Sequence, residues 1–194
     1  MQILKRVKSR ERNIHKSNFQ RPAVFLDRDG VLAEETGYVN SVERLCIFPY
    51  AAECIRKIHE KGYYAIVITN QSGVARGLFT EERLLEMNRY LQQYTDVDAV
   101  LYCPHHPEGV VEEYRIRCNC RKPAIGMFQN ACRRLDIDMT NSYMVGDRAG
   151  DIIAGQNAGI KTILVESGYG TVRLEEDVMP DYVVDDLRGV LEIL

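Results

Sequence analysis

The sequence lacks any long apolar run, any marked excess of one charge, and any tryptophan. No stretch approaches the roughly 20 apolar residues that cross a bilayer, and the N-terminus carries no apolar secretory segment. The expectation is a cytoplasmic protein with no membrane partner. With Lys+Arg 25 against Asp+Glu 28, the net charge is −3, and no stripe in the core alternates basic with aromatic residues. That balance disfavours nucleic acid as a partner and leaves small-molecule chemistry. Internal repeats and low-complexity tracts are missing too. A composition 45% hydrophobic and 27% charged is that of an ordinary globular chain.

A chain of 194 residues suits one domain with a sizeable core. Residues 1–20 are basic, with Lys5, Arg6, Lys8, Arg10, Arg12 and Lys16, and show no apolar periodicity. They are expected to form an N-terminal extension outside the core, followed by one domain over 21–194. No partner chain is called for, and a monomer is the expectation.

From Ala23 onward, short apolar runs alternate with longer amphipathic stretches, the pattern of a parallel sheet with crossover helices. Strands are expected at 23–26, 64–68, 99–102, 143–145, 162–165 and 182–184. Helices are expected at 51–60, 81–94, 127–135 and 151–158, with Gly62 and Gly159 where C-caps are wanted. The predicted fold is an open, doubly wound, mostly parallel α/β sheet of the Rossmann-like kind. In such sheets ligands bind beyond the carboxyl ends of the strands. Asp27 and Asp29 follow the first strand, Thr69 the second, Cys103 and His105 the third, and Asp147 and Asp151 the fourth. Reactive side chains therefore collect at one edge.

Leu26-Asp27-Arg28-Asp29-Gly30 places two acids directly after an apolar strand, and a turn at Gly30 is needed to bring both to a shared ligand. Alone, such a pair is also an ordinary solvated turn. A second pair, Asp147 and Asp151, follows another strand one helical turn apart. Four carboxylates at one edge repel one another without a cation, and oxygen ligands with room for water and phosphate suit Mg²⁺. Asp151 also has a simpler reading, as an acid at a helix N-terminus. Thr69-Asn70-Gln71-Ser72-Gly73 is a polar turn able to hold phosphate oxygens or to cap a helix. Lys122 supplies a cation that neutralises phosphate charge and keeps a nucleophile ionised.

Cys103-Pro104-His105 and Cys118-Asn119-Cys120 lie within one long connection of weak periodicity. Three thiols and a histidine at this spacing suit a closed tetrahedral Zn²⁺ site, and either His105 or His106 can supply the fourth ligand. Zinc coordination would offset the ordering entropy of so long a loop and hold Arg121 and Lys122 in place. Cys46, Cys54 and Cys132 read as core fillers.

These segments resemble a known family. Asp27-Arg28-Asp29-Gly30, Thr69-Asn70-Gln71-Ser72-Gly73, Arg121-Lys122-Pro123 and Gly146-Asp147 with Asp151 are similar, in order and spacing, to the four motifs of haloacid dehalogenase phosphatases. The resemblance implies a Mg²⁺-dependent phosphoric monoester hydrolase with Asp27 as nucleophile and Asp29 as general acid and then base. It further implies Mg²⁺ held by Asp27, the Asp29 carbonyl and Asp147, with Thr69 and Lys122 on the transferring phosphoryl group. Asp151 would support either Lys122 or the metal shell.

The loops Tyr102 to Gly109, Cys118 to Pro123 and Asn70 to Gly77 narrow the resemblance to the histidinol-phosphatase-like branch, above all its heptose 1,7-bisphosphate 7-phosphatases. It implies a sugar phosphate substrate, no large cap domain, and a zinc-bound loop with His105 as the ligand. Asn70, Gln71 and Ser72 would line the substrate, and Arg76 and Arg121 would meet a second phosphate or sugar hydroxyls. Val31-Leu32-Ala33 stands where the family commonly has Thr-Ile-Asn, which removes a side-chain amide expected near the substrate. Histidinol phosphate is the nearest alternative substrate, and a nucleic-acid 3'-phosphate a more distant one.

Overall fold

The computed structural model describes residues 3–5, 20–170 and 178–194. A seven-stranded sheet runs in the order β1-β4-β3-β2-β5-β6-β7. Its strands are β1 (Ile3–Lys5), β2 (Arg21–Leu26), β3 (Tyr64–Asn70), β4 (Ala99–Cys103), β5 (Ile137–Gly146), β6 (Lys161–Val165) and β7 (Tyr182–Val184). β1 pairs antiparallel with β4, and all the other neighbours are parallel. The helices are α1 (Ala51–Glu60), α2 (Glu81–Thr95), α3 (Gly126–Cys132), α4 (Ala149–Asn157) and α5 (Leu187–Ile193). This is the expected doubly wound α/β architecture.

The period-two alternation along each strand explains the layering. In β2, Val24 and Leu26 join the apolar cluster that holds Ile55 and Ile58 of α1 and Leu84 and Met87 of α2. Ala23 and Phe25 point to the other cluster, with Met127 and Phe128 of α3 and Ala154 of α4. Both sheet faces are therefore covered, and burying one such large apolar side chain contributes about 1.5–3 kcal/mol. α2 starts at Thr80, whose side chain accepts a hydrogen bond from Arg83 N, and ends at Asp96 in the left-handed region at φ 67.

Strand order reverses between β2 and β5. From β2 the chain winds outward through β3 to β4, then returns to β5 on the other side of β2. Leu26 lies beside Val145 in register, and Asp27 N donates to Val145 O at 2.9 Å. The switch point thus sets the Asp27 and Asp147 turns side by side, where such sheets bind ligands.

Several elements differ from expectation. Ile3–Lys5 forms an edge strand, whereas residues 1–20 were expected outside the core; the other basic residues of that segment, Arg6 to Lys16, lie outside the described residues. β5 begins six residues early, at Ile137, ahead of the continuous apolar run by which it was recognised; Ile137 and Met139 face the core between polar neighbours. α5 is a short helix capped by the Asp186 carboxylate, which accepts from Arg188 N at 2.8 Å. Cys54 is buried, but Cys46 and Cys132 are exposed. Cys46 sits between inward-facing Leu45 and Ile47, and Cys132 closes α3 on its outer side. Among the described residues no helix is long and apolar enough to cross a membrane.

Candidate active site

Beyond the carboxyl ends of the central strands lies a cavity of about 400 Å³, lined in part by Asp27, Asp29, Thr69, Lys122 and Asp151. Lys122 is its electrostatic centre. The residue is 4% exposed, and its ammonium stands 2.7 Å from Asp151 Oδ1 and 3.2 Å from Asp27 Oδ1 while donating to Ile68 O at 2.7 Å. Burial opposes its charge, yet Asp151 and Asp27 outweigh burial and hold its pKa above the usual value.

Asp27 Oδ1 also accepts from Arg28 N at 2.7 Å, whereas its Oδ2 has no hydrogen-bond partner among the described residues. One oxygen is thereby anchored and the other left for chemistry. Asp151 is spent differently. Besides its bond to Lys122, it accepts from Arg148 N at 3.2 Å through Oδ2, so it supports the lysine.

Asp147 is fully buried. Its Oδ2 accepts from Tyr169 N at 3.0 Å, but its Oδ1 is buried without a hydrogen bond. Burial first, then Asp27 and Asp151, push its pKa up to about 7. Carboxylate oxygens of Asp27, Asp147 and Asp151 lie within 4.8 Å of one another. A buried oxygen with no hydrogen bond, met only by Arg148 Nε at 3.8 Å, among clustered acids fits a hard divalent cation, which would satisfy the lone pairs and remove the repulsion. Backbone closeness is what makes this fit possible. A Cβ on Gly30, which has φ +82, would come 2.4 Å from Asp147 Oδ2, and one on Gly168 would come 2.1 Å from the same atom.

Asp29 faces the cavity beside a residue that was not expected to matter. Arg28 is 1% exposed and grips Asp29 twice, Nε to Oδ1 at 3.0 Å and Nη2 to Oδ2 at 2.8 Å. Gln71 closes this network, donating to Asp29 Oδ2 and to Thr69 Oγ1 at 2.9 Å each and accepting from Arg28 at 3.1 Å. Gln71 therefore positions the acid and the hydroxyl. Asn70 is likewise committed: its Oδ1 accepts from Lys122 N and its Nδ2 donates to Lys122 O, both at 3.0 Å. Replacing Asn70 by Ala is expected to lower turnover roughly 10- to 100-fold through a displaced Lys122, since each such bond is worth about 1 kcal/mol and its loss leaves buried groups unpaired. Steady-state kinetics on a phosphate monoester would check it, and an unchanged kcat would contradict the positioning role.

Arg76, Arg121 and His106 line the same cavity. Arg76 Nε and Arg121 Nη1 are buried without hydrogen-bond partners, which suits recognition of an anion. Two further contacts went unnoticed in the sequence because they join distant segments. Arg148 ion-pairs with Glu35, whose Oε1 also accepts from Gly37 N at 2.7 Å, and Arg148 stacks 4.2 Å over Tyr169. Val31, Leu32 and Ala33 are fully buried core residues and do not line the cavity.

The zinc-type residues also converge. Sulfur atoms of Cys103, Cys118 and Cys120 are 3.2–3.5 Å apart, and His105 Nδ1 lies 3.7 Å from Cys103 Sγ and 3.3 Å from Cys120 Sγ. A tetrahedron with Zn–S near 2.3 Å has edges of about 3.7 Å, so the quartet fits such an ion. Hydrogen bonding from Cys103 pushes the Cys120 thiol down to about 5 and drives Cys103 upward; a metal would ionise them together. His106 does not join this quartet.

Comparison with known proteins agrees with this geometry. The chain is 40% identical over 172 residues to the D-glycero-beta-D-manno-heptose-1,7-bisphosphate 7-phosphatase of Haemophilus ducreyi, covering 85% of this chain and 93% of that protein. It is 40% identical over 175 residues to the protein of the same name from Yersinia pestis, covering 87% and 93%. The chain belongs to that family of phosphatases. Residues 119–190 match the HAD-hydrolase-like family. Among solved structures, the phosphatase resembles D,D-heptose 1,7-bisphosphate phosphatase from B. bronchiseptica, described as complexed with magnesium and phosphate. The TM-score is 0.75 at 33% identity, with 89% of this chain and 97% of that one covered. The corresponding enzyme from Burkholderia thailandensis gives 0.64 at 27% identity, covering 89% and 97%. The fold and the phosphatase class read from the motifs are those of these relatives.

Proposed function

We propose that this phosphatase removes the 7-phosphate of D-glycero-β-D-manno-heptose 1,7-bisphosphate in the cytoplasm. The observation that carries the reading is a single cavity with two anion-ready regions. One holds Asp27, Lys122 and the acids; the other holds Arg76 and Arg121 with unpaired buried nitrogens. A bisphosphate needs both. The names of the relatives support the choice of sugar.

In this reading Asp27 Oδ2 attacks the phosphorus, and the bond from phosphorus to the sugar oxygen breaks. Asp29 gives its proton to the departing oxygen. Water then attacks the phosphoaspartate, Asp29 takes up a proton from it, and Asp27 and inorganic phosphate are released. To carry that proton Asp29 must let go of part of its double contact with Arg28. Thr69 and Lys122 bind the transferring group, so catalysis is mostly positioning and charge neutralisation. Asp27 and Asp147 would hold Mg²⁺, with the Asp29 carbonyl completing the protein ligands and Asp151 holding Lys122; the ion neutralises phosphate charge when bound. Cys103, His105, Cys118 and Cys120 would hold a structural Zn²⁺.

The raised carboxyl pKa values make metal binding pH-dependent. Asp147 is pushed to about 7, and Asp151 to about 6 by burial despite the opposing pull of Lys122. The folded metal-free chain thus holds more protons than the unfolded chain between about pH 4 and 7, and this contribution to stability falls as pH rises through that window. Mg²⁺ must displace those protons. The Mg²⁺-induced rise in melting temperature is expected to be larger at pH 8 than at pH 5.5, and equal shifts in a thermal-melt series would contradict it.

Steady-state rates with Mg²⁺ on the heptose bisphosphate and on histidinol phosphate test the substrate. A higher kcat/KM for the bisphosphate is expected, and faster turnover of histidinol phosphate would refute the assignment.

A further inference from the structure

Asn88 lies on the buried face of α2 with Leu84 and Leu91, one turn to either side, and is itself fully buried. Helical spacing gives that place to an apolar side chain, and asparagine is a weak helix former. Its amide oxygen accepts from Arg28 Nη1 at 3.3 Å, while its amide nitrogen is buried with no hydrogen-bond partner among the described residues. A guanidinium can only donate, so it must meet the oxygen; turning the amide over would set donor against donor. A buried unpaired N–H weakens a fold. The helix therefore carries a residue that its own stability disfavours, which points to a task outside the helix.

That task is visible in the guanidinium, a planar fork whose three nitrogens are all engaged. Nε and Nη2 grip the two oxygens of Asp29 at 3.0 and 2.8 Å, and Nη2 also donates to Gln71 Oε1 at 3.1 Å. Nη1 projects away from the carboxylate and meets Asn88. Because the fork is rigid, holding its far end fixes the plane that the Asp29 carboxyl follows. Asn88 does not line the cavity, so it reaches the chemistry only through Arg28. We propose that Asn88 is a positioning residue that acts through Arg28 to aim the Asp29 carboxyl at the leaving oxygen of the substrate. The inference rests on the acid and base role given to Asp29 above and deepens it. When Asp29 carries its proton, one of its oxygens can still accept from the fork, and the aim is kept.

The surroundings suit α2 as an anchor. Thr80 caps its start, and Glu81 in its first turn accepts from the Tyr102 hydroxyl at 2.8 Å and the Tyr114 hydroxyl at 3.0 Å. The backbone of the fork is fixed as well, since Arg28 O accepts from Leu32 N at 2.9 Å and from Ala33 N at 3.0 Å. What remains to be set is the tilt of the guanidinium, and Asn88 sets it.

The test compares kcat/KM on two substrates of the full-length metal-loaded protein. The sugar oxygen of heptose 1,7-bisphosphate needs a proton as it leaves, whereas the phenolate of p-nitrophenyl phosphate does not. Asn88→Leu, close in size to asparagine and apolar like the residues beside it, is expected to lower the first value roughly 10- to 100-fold, the scale of a misplaced catalytic group. The second should fall less than about 3-fold, because little proton transfer is at stake. Arg28→Met should give a split at least as large, and adding Asn88→Leu to it no further change, since residues acting in series are not additive. Asn88→Ala, smaller and a stronger helix former, gives the same readout if the leucine variant does not fold. Unchanged rates, or equal losses on both substrates, overturn the inference, the latter by marking a structural role. So does a split that adds in full to that of Arg28→Met, because Asn88 would then act by another route. Asp29→Asn separates the two readings. If it shows the split and Asn88→Leu does not, this inference alone fails; if it loses both substrates equally, the acid role of Asp29 fails with it.

Discussion

Replacing Asp27 by Asn is expected to reduce phosphate release by about 10⁴-fold or more, the scale seen when a covalent nucleophile is removed. The substitution keeps the shape of the side chain. The amide oxygen can still accept from Arg28 N, as Oδ1 does at 2.7 Å, and a buried charge beside Asp147 disappears. The fold should therefore survive, with zinc content unchanged and a metal-free melting temperature no lower than that of the wild type. Activity assays with elemental analysis and a thermal melt of the same sample would check all three. Persistent hydrolysis would mean that another group attacks the phosphorus.

Replacing Cys118 by Ser is expected to have the next largest effect, and it acts far beyond its own position. The quartet proposed to hold zinc shares its loop with Lys122, the proposed phosphoryl-binding cation: Cys120 directly precedes Arg121 and Lys122, and Gly126 N donates to Asn119 O at 2.8 Å. Tyr114, whose ring is 6.2 Å from that of His105, donates to Glu81 at 3.0 Å and fastens the loop to α2. Losing one thiolate should release the ion and leave this connection with little apolar packing to order it. A destabilisation of about 3–5 kcal/mol corresponds to a melting temperature lower by roughly 10 °C. Turnover should drop as well, because Lys122 is placed by this loop. Elemental analysis, melting and kinetics are the measurements; a zinc-free variant with full activity would contradict the role given to the loop.

The identity and order of the reactive residues were legible in the chain. Acids after two apolar strands, a polar turn after a third, and Cys and His pairs in a loop without periodicity are local patterns, and local patterns survive in one dimension. Short apolar runs likewise showed six strands at nearly their observed places, because the central ones are buried on both faces of the sheet and so read as continuous apolar segments. The first half of β5, the three-residue edge strand Ile3–Lys5 and the seven-residue helix α5 have no continuous apolar run or long periodic stretch and were not visible.

What each polar side chain does with its hydrogen bonds was decided by tertiary structure alone. Asn70 reads as a substrate contact, yet its amide is consumed by the Lys122 backbone 52 residues away. Arg28 has no role legible in the sequence, yet it is buried and clamps Asp29. Glu35 meets Arg148 across 113 residues, and His106, one of two adjacent histidines, turns from the zinc quartet to Arg76. The sequence by itself determined which chemistry the chain can perform, since residue type and spacing set the available acids, thiols and cations. Only the folded chain decided which oxygen is anchored, which is left unpaired and which donor awaits an anion, because those outcomes depend on distances between segments that no spacing along the chain records.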